Sequence, residues 1–283
     1  MLSFGVTFAD ANLTGVMEST YIMNGTSKGM GNGLNGGSEF RLGGTEDLGN
    51  GLKAEYNYAF TQNHNTGSSL ANYNSYVGLS GEFGSVKLGK QFTPLALATW
   101  GNDAMGGAAV STNLANGSGA YQPNGSITYT SPNFSGFSLS AQGNNQTTTY
   151  GSPSVTIKKS SGYSLSYATG ALSASYASNT ISGGKAVNGI GASYDFGMAK
   201  VFISSLSQKE EDTATGYGVS VPFGAATLIA SGSSKGDAQN YELVAKYNLS
   251  KRTLVYFQNT NKDTGVTGAS AVSTNSIGVR HDF

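Results

Sequence analysis

Two histidines, His64 and His281, and no cysteine are the whole supply of imidazole and thiol in this 283-residue chain. A hydrolytic site needs Ser, His and an orienting Asp or Asn brought together. His64 sits between Asn63 and Asn65 in a polar loop, and His281 falls on an apolar strand face beside the end of the chain. One loop histidine is too little for that chemistry. Without cysteine there is neither a thiolate metal site nor a disulfide framework. The sequence carries no phosphate loop, zinc spacing or calcium loop. Asp195-Phe196-Gly197 reads as a turn between strands, far from any kinase context. The acidic run Lys209-Glu210-Glu211-Asp212 reads as a solvated loop tip. The chain is therefore expected to be no enzyme and to need no cofactor and no metal.

The chemistry left is electrostatic, and its spacing is two. Lys53 and Glu55 alternate with Leu52, Ala54, Tyr56, Tyr58 and Phe60, which puts charge on one strand face and apolar surface on the other. The same parity places Glu18, Glu39, Arg41, Lys87, Glu242, Lys246, Arg280 and Asp282 on polar faces, together with Thr128 and Thr130. With 16 basic and 16 acidic residues in the chain, no charge excess points to nucleic acid.

The elements that carry these faces read as strands throughout. Sixteen strands are expected, at 12–21, 38–45, 52–60, 73–80, 85–89, 125–130, 137–144, 163–168, 172–178, 188–194, 200–207, 216–221, 226–231, 240–247, 253–260 and 275–283. They are joined by eight longer loops and seven short turns. Residues 200–207 and 226–231 are ambiguous in phase. Phe202 and Leu206 oppose Val201 and Ile203, and Ile229 opposes Leu228, so these segments face a subunit partner or tuck under a loop. Charged residues make up only 11% of the chain, against roughly 25% in a soluble domain, which suits a wall with one face in lipid and one in water. No apolar run reaches the roughly 18 residues of a membrane helix, and barrel strands need none. An even strand count with short turns at one end and long loops at the other is the pattern of a bacterial transmembrane barrel. The last strand, NSIGVRHDF, would pair with the first and leave no sheet edge. Tyr129, Tyr163, Tyr167, Tyr176, Tyr194, Tyr217, Tyr241 and Tyr247 lie near strand ends, where aromatic girdles form.

Several segments carry a family likeness: GTEDLGNGL at 44–52, YVGLSGEFGSVKLGKQ at 76–91, YTSPNFSGF at 129–137, NLSKRT at 248–253 and the C-terminal GVRHDF. In this order and spacing the chain resembles the general porins of Gram-negative outer membranes, of the β-proteobacterial type. The resemblance implies an all-β, transmembrane antiparallel barrel of about 16 strands whose long third loop folds into the lumen. It implies a homotrimer in the outer-membrane lipid, passing small hydrophilic solutes and ions by diffusion. The third loop is residues 90–123, and its one carboxylate is Asp103. Lys90 matches a basic wall position of the family. Glu39 stands where the family has Arg, two residues before Arg41, and Thr128 also replaces an Arg. The constriction is therefore expected from Asp103, Glu39, Arg41 and Lys90, with a weak lean to cations.

Residues 1–11 are expected to be a signal-peptide remnant or an N-terminal extension, with Ala9-Asp10-Ala11 resembling a cleavage site; the barrel is expected over 12–283. A substrate-selective porin of the same fold and a surface-displayed β-rich adhesin or binding protein are the rival readings.

Overall fold

The structure, a computed structural model, describes residues 10–25, 27–31, 33, 37–65, 67, 69–105, 121–144, 148–150, 155–157, 159–263, 265 and 270–283. Alternating polar and apolar side chains draw the chain into strands, in the order β1 (Asp10–Asn24), β2 (Ser27–Gly31), β3 (Ser38–Gly49), β4 (Leu52–Gln62), β5 (Ala71–Gly81) and β6 (Gly84–Lys90). A short helix, α1 (Pro94–Trp100), precedes β7 (Ser126–Thr130), β8 (Phe137–Asn144), β9 (Thr148–Tyr150) and β10 (Val155–Ile157). Then follow β11 (Ser160–Thr169), β12 (Leu172–Ile181), β13 (Val187–Asp195), β14 (Lys200–Gln208) and β15 (Ala214–Phe223). The last four are β16 (Ala226–Lys235), β17 (Ala238–Asn248), β18 (Thr253–Lys262) and β19 (Val272–Asp282).

Leaving out β2 and the separate β9–β10 pair, sixteen of these strands form one antiparallel barrel, and each matches an expected strand. The barrel closes through β1. One stretch of it, Val16–Met23, pairs with Asp282–Asn275 of β19, and its start, Asp10–Val16, pairs with Thr45–Glu39 of β3. Gly15 and Phe283 exchange backbone hydrogen bonds of 3.0 and 3.1 Å, so the seam is sealed to the last residue. β1 thus begins two residues ahead of the expected strand, at Asp10; residues 1–9 lie outside the described residues.

Turn chemistry sets the register at the short-turn end. Asn50 and Gly51 both take positive φ, +54° and +76°, the conformation a two-residue hairpin between twisted strands requires. At the other end one expected long loop is absent. β16 and β17 run on to Lys235 and Ala238, leaving Gly236-Asp237 as a tight turn. Ser231, Ser233, Asn240 and Glu242 keep the inward alternation going, so the ladder extends past the point where the apolar pattern fades.

Apolar side chains face outward, the inverse of a soluble sandwich. Leu13, Met17, Val77, Leu165, Ile190, Leu228, Leu243 and Ile277 are exposed, as are the outward tyrosines Tyr163, Tyr176, Tyr194, Tyr217, Tyr241 and Tyr247. In lipid each large aliphatic of that band is stabilised by about 1.5–3 kcal/mol relative to water. The inner face is built from Ser, Thr, Asn, Gln and Gly, with Ser164, Ser193, Ser204, Ser233 and Gln142 buried there. A sixteen-stranded barrel is too wide for its own side chains to fill.

Candidate functional site

The connection between β6 and β7 carries a helix that the sequence reading treats as loop. Thr93 caps it, its hydroxyl accepting from Ala96 N–H at 3.2 Å, and Pro94 takes the first turn, where no donor is needed. Leu95 and Ala98 on one side of α1 pack against Ala177, Val187, Leu206 and Ala214, residues that alternate with the exposed apolar face of β12 to β15. Leu97, on the other side, stays 55% exposed. Past the helix, Met105 packs on Ile229, Val244 and Tyr256 of β16, β17 and β18.

Polar ties fix the same segment. Asn102 Nδ2 donates to Ser175 Oγ at 2.9 Å, and Ser175 Oγ donates to Ala98 O at 2.9 Å. Gln142 Nε2 donates to Phe92 O and to Thr128 Oγ1, each at 3.0 Å. Glycines make room for the close approach. A Cβ on Gly189 would stand 2.7 Å from Leu95 Cδ1, and one on Gly191 would stand 2.8 Å from Asn102 Cβ.

These contacts resolve the ambiguous phases. Phe202, Leu206 and Ile229 point inward, and Leu206 and Ile229 lie under the loop segment. Leu206 packs with Leu95 and Ala98, and Ile229 packs with Met105. Thr128, where the resemblance expects Arg, holds the Gln142 amide that grips Phe92.

Glu18, Glu39, Arg41, Lys53, Glu55, Lys87, Glu242, Lys246, Arg280 and Asp282 share the inner parity with Thr128 and Thr130. Lys90 is opposite Ser75, on the outward parity, and its ammonium donates to Asn72 O at 2.7 Å at the end of β6. Asp103 is 6% exposed and accepts from Met105 N–H at 2.7 Å. Residues 106–120 of the third loop lie outside the described residues.

In the pairs Arg41–Glu39, Lys87–Glu55 and Arg280–Glu18 the acid is the more covered partner, whereas Asp282 is more open than Arg280, 45% against 25%. Arg41 donates to Glu39, yet its side chain is 49% exposed against 14% for the carboxylate. Lys87 bonds Glu55 at 3.1 Å, with 27% against 18%. Arg280 lies 3.9 Å from Glu18, whose side chain is fully buried, and also holds Asp282 at 2.9 Å. Glu242, 1% exposed, accepts from Gln258. The acids Asp47 and Asp195 also share the inner parity, opposite Lys53 and Lys200, and three more bases point inward, Lys200, Lys235 and Lys262. Two of them lie beyond the expected strand ends, and Lys200 opens a strand whose phase was ambiguous.

His64 bridges Ser19 Oγ at 2.5 Å and Ser38 Oγ at 3.2 Å, tying the β4–β5 loop to β1 and β3, with no carboxylate on either ring nitrogen among the described residues. His281 contacts Thr253 Oγ1 at 2.9 Å on the outward face.

Residues 3–267 match the family model described as Gram-negative porin. The chain is 32% identical to outer membrane porin protein 32 of Delftia acidovorans, an alignment covering 88% of this chain and 82% of that protein. Its fold superposes on the anion-selective porin from Comamonas acidovorans with a TM-score of 0.78 and 25% identity, covering 97% of this chain and 100% of that one. The trimer form of OmpT, an outer membrane protein of Vibrio cholerae, superposes with a TM-score of 0.71 at 13% identity, covering 97% and 99%.

Proposed function

The chain belongs to the family of Gram-negative porins, outer-membrane channel proteins, and on that footing we propose that it is a passive, water-filled diffusion pore with a weak preference for anions. The third loop narrows the lumen: α1 and residues 101–105 rest on inner-face residues in the middle of β12 and β13 and along β16 to β18. The observation that carries the anion preference is the unequal burial of the charges. Glu18, Glu242 and Asp103 are buried and Glu39 is recessed, while Arg41 and Lys262 keep contact with the lumen; the open inward acids Asp47, Asp195 and Asp282 each lie against a base, Lys53, Lys200 and Arg280. Exposed Arg and Lys favour anions in a pore, and a carboxylate held against a base forms a nearly neutral pair that adds little net field. The lean to cations expected from Asp103 and Glu39 is therefore replaced by the opposite lean. The Comamonas porin superposed above is described as anion-selective, in keeping with this reading.

The proposed constriction has Arg41 with Glu39 on the wall, facing the third loop; Asp103 serves as a cap inside that loop and Lys90 sits at its root. Small hydrophilic solutes pass without a chemical step, and no cofactor is called for. A homotrimer is proposed from the family and from the trimeric Vibrio protein. The exposed apolar band supports placement in lipid and disfavours a soluble adhesin.

Swelling of proteoliposomes in isosmotic sugar solutions tests the pore directly. Swelling that slows as the sugar grows is expected. Liposomes holding folded protein that stay impermeable to the smallest sugar would sink the proposal.

A further inference from the structure

Four aromatic rings form a continuous run where the third loop leaves the wall. Tyr73 of β5 meets Phe92 edge-on, with centroids 5.2 Å apart at 80°. Phe92 meets Trp100 of α1 at 4.7 Å and 73°, and Trp100 stacks on Tyr121 at 5.6 Å and 27°. The two arms of the loop are joined there by Thr93 N–H donating to Tyr121 O at 2.8 Å. None of the four rings is fully buried; each keeps a minor part of its surface open. That is unlike the apolar anchors of the same loop, Leu95 and Met105, which are 2% and 3% exposed. Rings that served only to pack the loop down would be closed over in the same way. Burial pushes the Tyr121 phenol up, so it stays neutral and acts as a flat surface with a donor at its rim. Arg41 lies opposite Ala59 of β4, and the irregular stretch of β5 that carries Tyr73 lies on the other side of Ala59, so Arg41 and Tyr73 flank the same position of β4. Arg41 gives one nitrogen to Glu39 and keeps half of its side chain open.

We propose that this run of rings, with the Arg41 guanidinium beside its Tyr73 end, is a solute-binding subsite in the pore for small planar aromatic carboxylates. Each ring offers a face or an edge to a flat solute, and successive contacts let it move from one ring to the next without leaving aromatic surface. The guanidinium supplies the charge and the paired donors that a carboxylate takes. A sugar would use the ring faces but gain nothing from the cation, and an aliphatic acid would gain the cation but lose the edges and faces. The inference rests on the reading of the loop as part of an open lumen, and it adds a preferred solute class to that reading.

Trp100 is the single tryptophan of the chain, so its emission reports on this place alone. Folded protein in detergent is titrated with benzoate, cyclohexanecarboxylate, benzyl alcohol and maltose, and the same preparation is checked for potassium chloride conductance in a planar bilayer. Benzoate should change the Trp100 emission saturably, with a half-saturation at least about tenfold below those of the other three. Arg41→Gln should raise the benzoate half-saturation about threefold to fivefold, and Tyr73→Leu should raise it as well. A protein that conducts chloride yet responds to benzoate linearly, or no better than to cyclohexanecarboxylate, overturns the subsite and leaves the pore standing. Saturation by maltose alone would also overturn it, by assigning the rings to sugars. Saturable benzoate binding by a protein that does not conduct would overturn the pore reading on which the subsite rests.

Discussion

Leu95→Ala should loosen the third loop while leaving the barrel intact. Leu95 is 2% exposed and fills the space between Ala98, Ala177, Val187, Leu206 and Ala214. Removing a buried leucine side chain costs about 2–5 kcal/mol, and the lower end applies here because water from the lumen can enter the gap. That loss falls on the docking of the loop, since the strand ladder does not pass through Leu95. The bonds left, Asn102 to Ser175 and Gln142 to Phe92 O, are worth about 1 kcal/mol each. A loss of about 2 kcal/mol raises the undocked fraction about 30-fold. Single-channel recordings at fixed voltage should then show frequent sublevels and excess noise, and a protease should cut the loop faster. Leu97→Ala is the internal control, because Leu97 lies two residues away on the same helix but is 55% exposed. If both variants give quiet traces like the parent, or if Leu95→Ala instead lowers the temperature at which the barrel unfolds on a gel, the packing argument is refuted.

Other expectations follow from single sites. Gly189→Val should push α1 off the wall, because even a Cβ there meets Leu95 Cδ1 at 2.7 Å and Thr99 Cγ2 at 3.0 Å; conductance equal to the parent's would contradict the close approach. Gly15→Leu should impair closure of the barrel, since a Cβ at Gly15 stands 2.5 Å from Glu39 O and 2.6 Å from the Phe283 ring. Refolding yield, read as the heat-modifiable band, should drop, and an unchanged yield would count against the seam. Arg41→Glu should move the ion preference towards cations, whereas Asp103→Asn should leave it nearly unchanged because that carboxylate is buried. A large shift from Asp103→Asn with none from Arg41→Glu would show that the exposed charges are not the ones that count.

The strands were legible because a period of two survives even in strands rich in Gly and Ser, and because turn residues such as Asn50-Gly51 fall at nearly regular intervals. Helix α1 was not, since PLALATW makes barely two turns and offers no helical repeat to detect. Its cover was legible in part: Leu206 and Ile229 broke the polar alternation and so marked where something had to lie on the inner face. Lys235 and Lys262 were lost because the strands outrun their apolar pattern. Parity assigns the charges to the polar face, but it says nothing of how deeply each is covered. Glu18 and Glu242 look equal to Arg41 in the sequence, and only three-dimensional packing shows that the acids are covered and the guanidinium is open.

The most direct measurement is the zero-current potential across a planar bilayer under a potassium chloride gradient. A weakly anion-preferring pore gives stepwise ohmic openings and a potential with the sign of the chloride equilibrium potential. A potential with the sign for potassium would contradict the assignment of the lumen to its exposed arginine and lysines.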